Sequence, residues 1–234
     1  MKCGDVKVLK GPDYITIEKL EHLTPDQTSK CIDDMEQSAS AQKVKRISLV
    51  HEGYISEKKV DLIQSRGYHF VRKRIGYELD FKRPLPFSLS DKVAVKKADE
   101  ETIVGLLGRI LNVSDAEREV LNIKSELGEE YEHSLYSIHA GGKGVGVVIP
   151  HIEPGTSDEG RLFYIGIDPE YQGKGYGREA HRYGIHLLKD VFGAVSYVGM
   201  TDESNHAMQA VFEKNHCRMR NPVYVFTKAF NGSY

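Results

Sequence analysis

The chain has no tryptophan and only three cysteines in 234 residues, Cys3, Cys31 and Cys217. They are odd in number, far apart and never in a Cys-x-x-Cys pair. That excludes a disulfide framework and a thiolate zinc site, and predicts a reducing, cytoplasmic setting. Charge of one sign is also lacking. The formal net charge of −2 provides no polybasic footprint, so nucleic acid is not an expected partner. No apolar run approaches the roughly 20 residues that span a bilayer, and residues 1–14 lack the apolar stretch of a secretory signal; no membrane partner is expected. The ten histidines are scattered. His181 and His186, five apart on an expected helix, diverge around it, so no metal site is expected.

What is present is an ordinary globular balance of 40% apolar and 28% charged residues. The alternate prolines and serines of Pro84-Leu85-Pro86-Phe87-Ser88 disfavour both helix and ladder. They divide the sequence into an N-terminal unit (1–83), a linker (84–91) and a C-terminal unit (92–234). In the first unit the patterning predicts a strand over 14–20 and a helix from Thr24 to about residue 41. A strand over 47–50, a helix over 56–66 closed by Gly67, and an extended strand over 68–81 follow. Thr24-Pro25-Asp26-Gln27 reads as a capping box with proline at the first helical position. In the second unit, a strand over 93–97 and a helix over 99–111 precede a helix opened by a second capping box, Ser114-Asp115-Ala116-Glu117, and fading near Gly128. Strands over 135–140, 144–152 and 161–168 follow, with Gly141-Gly142 as a hairpin turn. The remaining elements are a helix over 177–190, a strand over 195–200, a helix over 205–214 and a strand over 218–228. The order is that of an α/β protein with one mixed sheet. A faint internal repeat lays 46–81 on 195–230 without a gap, by pattern and not by identity.

The chemistry-bearing segment is 161–184. An apolar strand ends at Asp168-Pro169, and Gln172-Gly173-Lys174-Gly175-Tyr176-Gly177-Arg178 opens a helix. Alternate glycines remove the Cβ atoms that would keep a phosphate from the backbone. The free N–H groups and positive dipole end of the helix suit a pyrophosphate, and Lys174 and Arg178 add full charge. Walker A is not matched. A dinucleotide fingerprint is, by Gly175-Tyr176-Gly177-Arg178-Glu179-Ala180, with Asp202 as a ribose-binding candidate. Three successive strands before the turn and about 55 residues after it fit a Rossmann fold poorly.

The run Ile165-Gly166-Ile167-Asp168-Pro169-Glu170-Tyr171-Gln172-Gly173-Lys174-Gly175-Tyr176-Gly177 resembles the acetyl-CoA motif of the GNAT N-acetyltransferase superfamily. A second block of that family is matched by Asn205, Phe212, Glu213 and Lys214. The resemblance implies the GNAT acyl-CoA N-acyltransferase fold, a mostly antiparallel mixed sheet flanked by helices. It implies acetyl-CoA as co-substrate and an amine, on a small molecule or a protein, as acceptor; a homodimer stays open. Ile165, Gly166 and Ile167 would pair with pantetheine, the missing side chain of Gly166 letting the thioester sit close. Gly173, Lys174, Gly175, Tyr176, Gly177 and Arg178 would bind the pyrophosphate, with Gln172 shaping the turn and Asn205 touching pantetheine or capping its helix.

Two groups that the family commonly uses are missing. The tyrosine acid is replaced by Phe212, and the strand glutamate by Met200. The catalytic group is therefore unassigned, with Glu159 a weak candidate base and Tyr197, His206, His216 and Tyr224 unranked. A non-catalytic acyl-CoA-binding module is the alternative. Carboxylates at Glu126, Glu129, Glu130 and Glu132, and at Glu153, Asp158 and Glu159, would favour a cationic amine or simply solvate loops. The N-terminal unit resembles the later half of the same fold. Without alternate glycines after its first strand it is expected to be a degenerate partner domain that does not bind CoA.

Overall fold

A computed structural model describes residues 6–11, 13–42, 44–156 and 158–230. The described residues form two compact units, one of those between 6 and 76 with 200–205 and 219–230, the other of those in 77–199 and 206–218.

The first unit is built on β1 (Lys7–Lys10), β2 (Tyr14–Glu18), β3 (Arg46–Glu52), β4 (His69–Asp80) and β10 (Arg218–Ala229), in the sheet order β1-β2-β3-β10-β4. Its helices are α1 (Pro25–Gln42) and α2 (Glu57–Ser65). The expected capping box forms in both directions. Gln27 N–H donates to Thr24 Oγ1 at 3.3 Å and Thr24 N–H to Gln27 Oε1 at 2.8 Å. Ile15, Ile17, Ile47 and Leu49 alternate inward from β2 and β3 onto Ile32 and Ile63 of the helices. The C-terminal strand joins this sheet because β10 pairs antiparallel with β3 from Val223↔Glu52 to Ala229↔Arg46. Neither unit is thus one uninterrupted stretch, and segment 84–91 falls within the second.

The second unit carries β5 (Ala94–Lys97), β6 (Tyr136–Ala140), β7 (Lys143–Ile152), β8 (Glu159–Ile167) and β9 (Ser196–Asp202), with neighbours in the order β9-β8-β7-β6-β5. Its helices are α3 (Glu100–Leu111), α4 (Ala116–Leu127), the single turn α5 (Tyr131–Ser134), α6 (Tyr176–Asp190) and α7 (His206–Lys214). The β6–β7 turn has φ of 56° and 79° at Gly141 and Gly142, both left-handed, as a two-residue hairpin requires. The cap of α4 sits one residue later than the sequence suggested: Asp115, not Ser114, accepts from the Arg118 N–H. One face of this sheet packs Val147 and Ile149 against Ile103, Leu107, Val120 and Ile123 of α3 and α4. The other packs Val148 and Ile167 against Ala180 of α6.

The internal repeat extends to the element boundaries. A constant offset of 149 residues carries α2 onto α7 (57 to 206), β4 onto β10 (69 to 218), and the one-turn 3-10 helix Leu20–His22 onto Pro169–Tyr171 (20 to 169). The residue closing α2, Gly67, has φ 82°; its counterpart His216 has φ 58°.

Candidate active site

The turn after β8 is fixed by Asp168. Its N–H donates to Val145 O at 2.9 Å, and its carboxylate accepts from Glu170 N–H at 3.1 Å and from Arg109 Nε of α3 at 2.8 Å. The Arg109 guanidinium holds this carboxyl below the usual range, and also reaches Gly144 O at 3.2 Å. Gln172 shapes the turn by donating Nε2–H to Ile167 O at 2.9 Å. Gly173 and Gly175 have φ of 75° and 85°, which only glycine adopts freely, and a Cβ on either would point into open space. The backbone of 173–175 is therefore unshielded at the head of the 15-residue helix α6. Lys174 folds back, its Nζ 3.2 Å from Glu170 O and 4.9 Å from the Tyr171 ring centre. Tyr176 and Gly177 form the first turn of α6, and the Nε of Arg178 is buried without a hydrogen-bond partner.

The strand leading to this turn has an open edge. β8 pairs with β9, in parallel, only at Glu159↔Ser196 and Gly160↔Tyr197. Beyond that the ladder stops, so along 161–167, which includes Ile165, Gly166 and Ile167, the edge towards β9 offers N–H and C=O groups to an extended ligand. In the repeat, by contrast, β2 and β3 pair at four consecutive positions from Tyr14↔Arg46 to Ile17↔Leu49. There the buried Lys59 Nζ donates to the carbonyls of Leu20 and of Leu23, the latter at 2.7 Å. That ammonium ties up the turn corresponding to 169–172.

On its other edge β8 is interrupted by a bulge. The register with β7 passes from Ile149↔Tyr164 to Pro150↔Leu162, leaving Phe163 as the extra residue opposite a proline that has no N–H. The bulge re-aims the strand. Leu162 and Ile165 pack on the α6 face, whereas the adjacent Phe163 and Tyr164 both pack on the α3–α4 face. Phe163 and Tyr164 line a cavity of about 280 Å³, with Leu107 and Ile123 among its apolar walls and Glu119, Asn122 and Glu126 of α4 at its exposed rim. A Cβ on Gly166 would lie 2.8 Å from the Tyr164 hydroxyl and 2.9 Å from Ile110 Cγ2. The space beside Gly166 thus belongs to Tyr164 and Ile110, a different reason for glycine than the one inferred from sequence. Phe163, Tyr164 and Pro150 are visible in the sequence, but only the β7–β8 register brings them opposite one another.

The other singled-out residues are placed as follows. Glu159 begins β8, roughly 26 Å of strand from Ile167. Its carboxylate is paired with Arg161 at 2.7 Å, which also holds Glu153 at 3.2 Å. Glu130 accepts the Ile152 N–H at 3.0 Å. Phe212 is 1% exposed, stacked on Tyr77 with ring centres 4.5 Å apart. Beside it the equally buried Tyr197 hydroxyl lies 3.1 Å from His181 Nε2. Asn215 Nδ2–H donates to His181 Nδ1 at 2.9 Å, which fixes Nε2 as the protonated nitrogen that donates to Tyr197. Burial pushes the His181 pKa down to about 3 and raises that of Tyr197. His216 is exposed, Tyr224 lies on β10 and Met200 on β9. Asn205 directly precedes α7, its N–H donating to Asp202 O at 2.9 Å, and His206 begins that helix. Among the described residues no cluster of metal-binding side chains occurs and no helix is long and apolar enough to cross a membrane.

Comparison with known proteins agrees with this architecture. No curated protein matches the sequence. Among solved structures, a conserved protein of unknown function from Staphylococcus epidermidis superposes with TM-score 0.67 at 13% identity, covering 95% of this chain and 90% of that one. A GCN5-related N-acetyltransferase from Sphaerobacter thermophilus gives 0.65 at 13%, covering 98% and 77%. A tandem GNAT protein from the clavulanic acid biosynthesis pathway gives 0.63 at 12%, covering 98% and 79%. At such identities these show a shared fold. The acetyltransferase (GNAT) family profile matches residues 98–216, just over half of the sequence, and the match includes the glycine turn, β8 and the bulge; the chain belongs to the GNAT acetyltransferase family.

Proposed function

We propose that this protein transfers the acetyl group of acetyl-CoA to an amine by direct attack in a ternary complex. The observation that carries the reading is the alignment of two open backbones in one continuous segment: the unpaired edge of β8 over 161–167 and the unshielded glycine turn at the head of α6. A thread of amides ending in a pyrophosphate fits that pair. The orphaned Nε of Arg178 is a further donor awaiting an acceptor. In this reading the N–H groups of Gly173 to Arg178 bind the pyrophosphate with Lys174, Gln172 holds the turn, and Ile165, Gly166 and Ile167 pair with pantetheine. Asn205 is proposed as a further pantetheine contact.

The acceptor enters the cavity between α3, α4 and β8, where Glu119 and Glu126 favour a cationic amine over a neutral one. Orienting the amine against the thioester supplies much of the acceleration. Glu159, already paired with Arg161, is ill placed to take a proton. The proposed organisation is a degenerate GNAT-like unit carrying β2 and β3 and a CoA-binding unit carrying β8 and α6, the sequence bounds 1–83, 84–91 and 92–234 being modified by β10, which returns to the first unit. The buried, reduced thiols of Cys31 and Cys217 support a reducing cytoplasm as its location.

A second reading, a non-catalytic acyl-CoA-binding module, is favoured by Phe212 in place of the usual tyrosine. Thermal shift with acetyl-CoA, CoA and NAD, followed by thiol release over an amine panel, separates the readings. Stabilisation by acetyl-CoA with turnover supports transfer. Binding without turnover on any amine supports the module, and stabilisation by NAD alone overturns both.

A further inference from the structure

The family's usual acid is absent at Phe212, yet the reaction still needs a proton for the departing sulfur. Three hydroxyl-bearing or acidic groups compete to replace it. Tyr197 is sealed at 1% exposure and its hydroxyl bonds His181. Glu159 is paired with Arg161 at the far end of β8. Tyr164 differs from both. The bulge at Phe163 turns it out of strict alternation onto the α3–α4 face, it lines the 280 Å³ cavity, and its hydroxyl stands over Gly166, 2.8 Å from where a Cβ would be. It is thus a hydroxyl standing over Gly166, on a side chain that lines the proposed acceptor cavity.

We propose, resting on the acetyltransferase reading above, that Tyr164 is the catalytic acid, donating its phenolic proton to the CoA sulfur as the thioester breaks. The cationic amine first gives its ammonium proton to bulk water; the neutral nitrogen then attacks the carbonyl carbon, the C–N bond forms, and the C–S bond breaks with its electron pair going to sulfur. The sulfur takes the Tyr164 proton, and the phenolate takes the proton shed by the nitrogen. The products are amide and CoA thiol, with Tyr164 restored. Burial raises the phenol's pKa, which keeps it protonated and ready to donate at neutral pH.

The test compares wild type with Tyr164→Phe. We expect kcat to fall about 100-fold, in line with a positioned general acid, with the KM for acetyl-CoA unchanged. An equilibrium readout accompanies it. A phenol donating to sulfur favours bound thiolate, so calorimetric affinity for CoA should rise from pH 7 to 9 relative to desulfo-CoA in wild type and not in Tyr164→Phe. A fluorotyrosine at 164, which keeps the side-chain volume and lowers the phenol pKa, should move the alkaline limb of kcat to lower pH; this covers a Phe variant that folds poorly. Unchanged kcat and unchanged pH dependence in a variant that still binds CoA overturn the role of Tyr164 and leave the acetyltransferase reading standing. Failure of wild type to bind CoA at all overturns both.

Discussion

Gly175 heads α6 with φ 85° and open space where a side chain would begin. Gly175→Ala therefore carries only the left-handed backbone cost of about 1–2 kcal/mol. Gly175→Glu adds a negative charge at the phosphate's approach. We expect alanine to lower the melting temperature and weaken CoA modestly, and glutamate to abolish CoA binding in calorimetry; equal affinity for the two variants would contradict the assigned cradle. His216 presents the converse case: an exposed non-glycine residue at φ 58°, where the repeat has Gly67. His216→Gly removes Cβ strain but adds unfolded-state freedom, so we expect a net gain of about 0.5–1 kcal/mol in denaturant melts. A loss would show that the His216 side chain holds the turn after α7. Burial pushes the pKa of His181 down to about 3 and that of His51 to about 4, so both stay neutral in the fold. The unfolded chain protonates them near 6.5 and so binds more protons below that pH, which favours unfolding as pH falls. The melting temperature should be flat above about pH 7 and decline between 6.5 and 4.5; a flat profile to 4.5 would contradict the buried neutral histidines.

At the scale of elements, β8 is where sequence and structure part company. The strand, the Asp168-Pro169 stop, the glycine turn and the helix were legible because each rests on local chemistry: β-branched alternation, a capping carboxylate, positive φ. The bulge was not legible, because it depends on register with β7. Nor was the early end of the β8–β9 ladder, which depends on two strands 29 residues apart at their nearest ends. Gly166 illustrates the limit: the sequence shows a missing side chain, and only the fold shows that Tyr164 and Ile110 occupy its place. The pairing of β10 with β3 was hidden for the same reason, as a contact between strands far apart in the sequence. Phe212, by contrast, was legible as a departure from its family's pattern, and its burial against Tyr77 gives that departure a packing context.

At the scale of the whole molecule, the two halves repeat one chain path but differ where CoA would lie. The β2–β3 ladder is closed at four positions and Lys59 occupies the carbonyls of the following turn, whereas β8–β9 closes at two and leaves its turn open. Saturation should therefore come at one CoA per chain. The central claim is tested most directly by calorimetric titration of the intact protein with acetyl-CoA, beside Gly175→Glu and with NAD as control. The account predicts a single site per chain in the wild type, lost in the variant and unmoved by NAD. No heat with acetyl-CoA, binding that survives Gly175→Glu, or a second equivalent site would contradict it.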